Sequence, residues 1–166
     1  LNKNVCVVGR DNRLSSPSLA KELIKGITDS GCDVIDLGLV TTPMYFFGCI
    51  KSNVIIGIMV TASHNPKDDN GFKFSFDSLG NARGKQVYDF RDYTLAGKFL
   101  SGNGNVTNFE PATYYKSFIK DNLEFGNRRL KVVVDCGNGT TSLFAKEIYN
   151  QFNIDLHMIC DENDDK

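Results

Sequence analysis

The residues best suited to chemistry lie together at Thr61-Ala62-Ser63-His64-Asn65-Pro66, followed by Asn70-Gly71-Phe72-Lys73. A serine hydroxyl with an imidazole next in sequence can act as a nucleophile beside its own proton carrier. Pro66 fixes its own φ and biases Asn65 away from helix, which would hold Ser63 and His64 in a rigid turn. Asn65 is expected to serve that turn structurally. Lys73 falls on the polar side of the next segment and, if that segment folds straight back, returns to the same cleft as a point positive charge. The plain alternative is a structural turn, because Ser, His, Asn and Pro are common loop residues and Ser-x-Asn patterns close local hydrogen bonds. Gly137-Asn138-Gly139 precedes an expected helix and reads either as backbone N–H groups offered to an anion or as a tight strand-to-helix turn. Asp161, Glu162, Asp164 and Asp165 read as a frayed acidic end or, less simply, as metal ligands.

The elements that must position these groups alternate strand and helix. Val5-Cys6-Val7-Val8 is a continuous apolar run, as in a strand buried on both faces. A polar loop, Gly9 to Ser15, leads to Ser16-Pro17, read as an N-cap with proline at the first helical position. Leu19, Leu23, Ile24 and Ile27 form one apolar helical face, and Gly31 ends it. Val34 to Leu37 reads as a second strand. Thr42-Pro43 opens a short helix with Met44, Phe47 and Ile50 inward. Val54 to Val60 is the most apolar strand, so the Ser63 loop sits at a strand's carboxyl end, where open α/β sheets bind ligands. Phe72, Phe74 and Phe76 alternate with Lys73, Ser75 and Asp77, the period of a strand with one polar face. A turn is expected at Asp77-Ser78-Leu79-Gly80 and a helix over 85–100. Ser101 to Asn108 reads as a linker. Beyond it come a helix over 111–125, a strand over 131–135, a helix over 141–152 and a strand over 154–159. These last elements make one βαβ unit, too small to cover its own sheet.

The chain has 166 residues, 41% hydrophobic and 23% charged, enough for a packed core. A net charge of −1 gives no reason to expect nucleic acid or an anionic membrane as partner. No apolar run approaches a bilayer span. Five scattered cysteines and two histidines argue against a disulfide framework or a Cys/His zinc site. Reduced cysteines fit a cytoplasmic protein.

The string T-A-S-H-N-P-x-x-x-N-G-F-K, Thr61 to Lys73, resembles the phosphoserine loop of the α-D-phosphohexomutases, the phosphomannomutase/phosphoglucomutase family. Gly9-Arg10-Asp11-Asn12-Arg13 resembles that family's first loop, Asp36-x-Gly38 with Thr42-Pro43 its second βα segment, and Val132 to Gly139 the opening of its second domain. The resemblance implies an α/β fold: a three-layer α-β-α domain with a mixed, mostly parallel sheet over residues 1–105, then a truncated second α/β domain over 106–166. It implies that Ser63 carries a phosphoryl group exchanged with a hexose phosphate through a hexose bisphosphate, moving phosphate between C1 and C6 of mannose or glucose. His64 and Lys73 match residues with acid/base or proton-positioning roles. Arg13 matches an arginine that stabilises the transferring phosphoryl group. Ser63, through its phosphate oxygen, matches one ligand of the family's Mg²⁺.

The family's other Mg²⁺ ligands come from a D-G-D-x-D-R loop, and no such string occurs here. The expectation is therefore a fragment of an intramolecular phosphotransferase, inactive by itself and incomplete as a metal site. A non-catalytic sugar-phosphate-binding module, or a module that docks or self-associates through its unfinished second sheet, is the alternative.

Overall fold

A computed structural model describes residues 4–77 and 80–164. The elements follow as β1 (Val5–Arg10), α1 (Ser16–Asp29), β2 (Asp33–Leu39), α2 (Thr42–Lys51), β3 (Gly57–Val60), β4 (Phe72–Ser75), α3 (Lys85–Leu95), β5 (Val106–Asn108), α4 (Ala112–Asn122), β6 (Leu130–Asp135), α5 (Ala145–Tyr149) and β7 (Ile154–Ile159). A 3-10 turn, Thr140–Leu143, precedes α5. Five strands form one sheet in the order β4-β3-β1-β2-β5, with β4 antiparallel and the rest parallel. β6 and β7 form a separate parallel pair.

The expected layering is observed, and β1 shows why. Val7 points into a core with Met44, Tyr45 and Cys49 of α2, whereas Cys6 and Val8 point to the other face, against Leu23, Ile24 and Ile27 of α1. Both faces of the strand are covered, so its apolar residues run without a polar alternate. Val7, Val8 and Met44 are fully buried, and each contributes roughly 1.5–3 kcal/mol in transfer free energy. Thr41 caps α2 by accepting from the Met44 N–H.

Several local expectations need correction. Ile50 lies on the outer side of α2, and Gly48 and Cys49 fill the inner side. The ladder of β3 begins only at Gly57, opposite Val7. In β4 the aromatic side is the outer one: Phe72 is exposed, and Phe74 stacks with Phe76 and meets Phe90 of α3 at a tilt. The polar alternate Ser75 is the buried residue. The period of two was real, but it does not say which face meets the core. The helix expected to reach residue 100 stops at Leu95, and the turn expected at Asp77–Gly80 includes two positions outside the described residues. The helix over 141–152 is divided where Phe144 leaves helical dihedrals (φ −123°, ψ −30°).

The segment read as a linker is tied down instead. Val106–Asn108 pairs with β2 and closes the edge of the first sheet, so this sheet runs past residue 105. Upstream, the Gly102 N–H donates to the Asp29 carbonyl and the Gly104 N–H to the Thr28 carbonyl, both at 2.8 Å. A Cβ at Gly104 would lie 2.0 Å from the Cys32 carbonyl oxygen. Glycine is there because two backbones touch, a requirement that has the same composition as a flexible tether.

Candidate active site

The loop between β3 and β4 is a closed hairpin. Val60 pairs with Phe72 at its base, and the Thr61 N–H donates to the Gly71 carbonyl at 2.9 Å. Antiparallel return brings Lys73 alongside the strand end that launches Ser63. Ser63 has φ 58°, in the left-handed region that residues with a Cβ seldom occupy. Its N–H donates to Thr61 Oγ1 at 3.1 Å, which fixes the turn from the strand side.

The structure brings Ser63, His64 and Lys73 together. Ser63 Oγ lies 3.1 Å from His64 Nδ1, and Lys73 Nζ donates to the same Oγ at 3.2 Å. Ser63 is exposed, and Lys73 is half-buried beneath it. With the imidazole in the Nε2–H tautomer, the serine proton points at Nδ1 and a cation sits on the oxygen that would lose it. This is a hydroxyl with a proton acceptor and a charge stabiliser in contact.

Arg13 also reaches the loop, but not as a free fork. Its Nε donates to Asp11 Oδ2 at 3.2 Å. Nη1 donates to the carbonyls of Pro66 and Asp69, and Nη2 to those of Ser63 and Asn65. A guanidinium has five N–H hydrogens, and five protein oxygens accept them. Its side chain is only 14% exposed. The expected presentation of this fork to a phosphoryl group is therefore not the observed geometry; Arg13 grips the backbone of the loop.

A polar network behind the loop was not singled out by sequence reasoning. Asp11 Oδ1 accepts from the Arg13 N–H and from Ser16 Oγ. Asn70 Nδ2 donates to both Ser15 Oγ and Ser16 Oγ, while Asn70 Oδ1 accepts the Gly71 N–H. Ser16, expected as an N-cap, is fully buried and serves as the junction of this network; Ser15 occupies the cap position. Asn65 contributes its backbone to the turn, donating to the Ala62 carbonyl at 3.1 Å. The available signal was the polar run Asp11 to Ser16, since buried polar atoms must find partners.

The site opens into a cleft of about 560 Å³ whose far wall is the β6 turn. Asn12 spans the two walls: its N–H donates to Thr140 Oγ1 at 3.1 Å, Thr140 Oγ1 donates to Asn12 Oδ1, and Asn12 Nδ2 reaches the Asn138 carbonyl and Asn163 Oδ1. The N–H groups of Gly137, Asn138 and Gly139 are spent within the second unit, on Asp135 Oδ1 and the carbonyls of Cys160 and Cys136. That matches the tight-turn reading of this segment. The acidic end is partly anchored too, because the Asp164 N–H donates to the Asn138 carbonyl; Asp165 lies outside the described residues. Among the described residues no group of three or more His, Cys, Asp or Glu side chains could hold a metal ion. Asp11, the carboxylate bound to Arg13, is already engaged by three protein donors.

Comparison with known proteins decides the family. A family model described as phosphoglucomutase/phosphomannomutase, alpha/beta/alpha domain I, matches residues 1–89, more than half of the chain. The chain belongs to the phosphoglucomutase/phosphomannomutase family. It is 41% identical to a phosphomannomutase/phosphoglucomutase of Pseudomonas syringae pv. tomato, over 85% of this chain and 30% of that protein. It is 34% identical to a phosphoglucomutase of Neisseria meningitidis, over 93% of this chain and 34% of that protein. A crystal structure of a phosphoglucomutase/phosphomannomutase family protein from Burkholderia thailandensis superposes with a TM-score of 0.89 at 32% identity, covering 98% of this chain and 37% of that one. The chain thus spans about a third of the length of these relatives.

Proposed function

We propose that this chain supplies the phosphoryl-carrying serine of a hexose-phosphate mutase acting on mannose or glucose phosphates. The observation that carries the proposal is the contact of Ser63 Oγ with both His64 Nδ1 and Lys73 Nζ at the rim of an open cleft. In the first half-reaction the Ser63 oxygen attacks a phosphorus of a hexose bisphosphate. The new Oγ–P bond forms as the P–O bond to the sugar breaks. His64 Nδ1 takes the serine proton and gives it to the sugar oxygen, which leaves as a hydroxyl. Lys73 stabilises charge on Oγ and then on the phosphoryl oxygens. In the reverse half-reaction phosphorylated Ser63 gives its phosphoryl group to the free hydroxyl of a hexose monophosphate, and the bisphosphate so formed reorients and returns its other phosphate to Ser63, which completes the isomerisation.

We place the boundary between the catalytic domain and the second unit after β5, and assign the whole to the cytoplasm. All five cysteines are unpaired, which fits a reducing compartment, and no described helix is long and apolar enough to cross a membrane. Among the described residues no side chains around Ser63 compose a site for Mg²⁺.

The test is intact mass after incubation with a hexose bisphosphate. Within the full-length mutase the chain should gain one phosphate, and Ser63→Ala should gain none while keeping its circular dichroism spectrum. A chain that binds the bisphosphate by calorimetry yet never gains the phosphate would be a binding module instead.

A further inference from the structure

The left-handed turn at Ser63 has to be held by something, since a residue with a Cβ in that region is strained by about 1–2 kcal/mol. The Thr61 hydroxyl fixes the N–H side of Ser63. On the other side, Arg13 Nη2 binds the Ser63 carbonyl itself, at 3.2 Å, and the Asn65 carbonyl at 2.9 Å. Nη1 binds the carbonyls of Pro66 and Asp69, so one planar group gathers four peptide oxygens from a seven-residue stretch. Asp11 holds that plane through Nε, and Asp11 in turn accepts from Ser16 Oγ, whose own oxygen accepts from Asn70 Nδ2. Fixing the Ser63 carbonyl fixes the Ser63–His64 peptide, and with it the direction of both Oγ and Nδ1.

We propose that Arg13 acts on the reaction only through this turn. It is a positioning residue, clamped by Asp11, whose task is to hold Ser63 in the left-handed conformation that aims Oγ at the cleft; charge on the phosphoryl group is met by Lys73 rather than by Arg13. The second half of this statement rests on the mutase reading, and the first half stands without it.

Lysine at position 13 keeps the charge but offers three donors at one point, which cannot span the four carbonyls. The experiment compares wild type, Arg13→Lys and Asp11→Asn in the full-length mutase by hydrogen exchange and by the rate of phosphate gain from a hexose bisphosphate. In Arg13→Lys the amides of Ser63, Asn65 and Asp69 should exchange about tenfold faster or more, as expected on losing a charge-assisted hydrogen bond. Protection of β1 and β3 should be unchanged, and phosphate gain should slow in parallel with loop opening. Asp11→Asn, which leaves Arg13 in place and preserves shape, should loosen the same amides to a smaller degree; it carries the test if Arg13→Lys fails to fold. Wild-type loop protection in Arg13→Lys together with lost transfer would overturn the proposal, because Arg13 would then be touching the phosphoryl group. A loosened loop with undiminished transfer would overturn it as well. If wild type itself gains no phosphate, the mutase reading fails, and the exchange data alone decide whether Arg13 is the clamp.

Discussion

Single residues of the site fall into groups that face the cleft and groups that hold them. Lys73 belongs to the first set. Replacing it with alanine should slow phosphate gain at Ser63 by roughly 10²–10⁴-fold, the usual range for a positioned proton-transfer or charge-stabilising side chain. An unchanged rate in a stopped-flow or quenched mass assay would make Lys73 a strand residue only. Ser16 belongs to the second set: it is fully buried, and its hydroxyl joins Asp11 to Asn70. Ser16→Ala removes one hydrogen bond from Asp11 Oδ1 and one from Asn70 Nδ2 and should cost about 1–3 kcal/mol in urea unfolding. Ser63, His64 and Lys73 were legible in the sequence because their string is long and specific. The roles of Asp11, Asn70 and Ser16 were not, because a polar loop and a buried polar network have the same composition. Arg13 was legible as a residue near the serine, but its five bonds to protein oxygens were not, since donor saturation is a property of geometry.

At the scale of elements, the alternation of strands and helices was readable because β1, α1, β2 and α2 each carry an unambiguous pattern. The errors fall where one composition serves two physical ends. Ser101 to Asn108 is rich in Gly and Asn, and it packs tightly against the end of α1 before joining the sheet as β5. Gly104→Ala should therefore destabilise the protein by about 1–3 kcal/mol, as overpacking does, whereas a true linker would tolerate it. An unaltered urea midpoint would contradict the contact with the Cys32 carbonyl. Phe72, Phe74 and Phe76 show the complementary ambiguity: periodicity gives two faces, and only the partner elements say which is inside. Here α3 receives the aromatic side through Phe90, and the core receives Ser75.

At the scale of the whole molecule, two interior thiols tie stability to pH. Burial pushes the Cys6 thiol up to about 12, with smaller contributions from Cys32 and Cys49. Burial likewise pushes Cys49 up to about 11 and the Tyr45 phenol well above its usual range. A raised folded pKa keeps the proton on, while the unfolded chain releases it near about 8.5. The stability is thus fully present below that value and is lost as pH rises through about 11–12. Urea midpoints should hold between neutral pH and 8, then fall steadily above 9; Cys6→Ala should be less stable at neutral pH and should show a shallower alkaline slope. A flat profile to pH 11 would contradict the interior placement of both thiols. The same core sets the frame for the site, since β1 and β3 carry the Arg13 and Ser63 loops from adjacent strand ends. The central claim, that the Ser63 oxygen accepts a phosphoryl group, is tested most directly by tandem mass spectrometry of the peptide spanning Thr61 to Lys73 after exposure to a hexose bisphosphate. A single phosphate located on Ser63 is expected, and a phosphate on Thr61 or His64, or none at all, would contradict the claim.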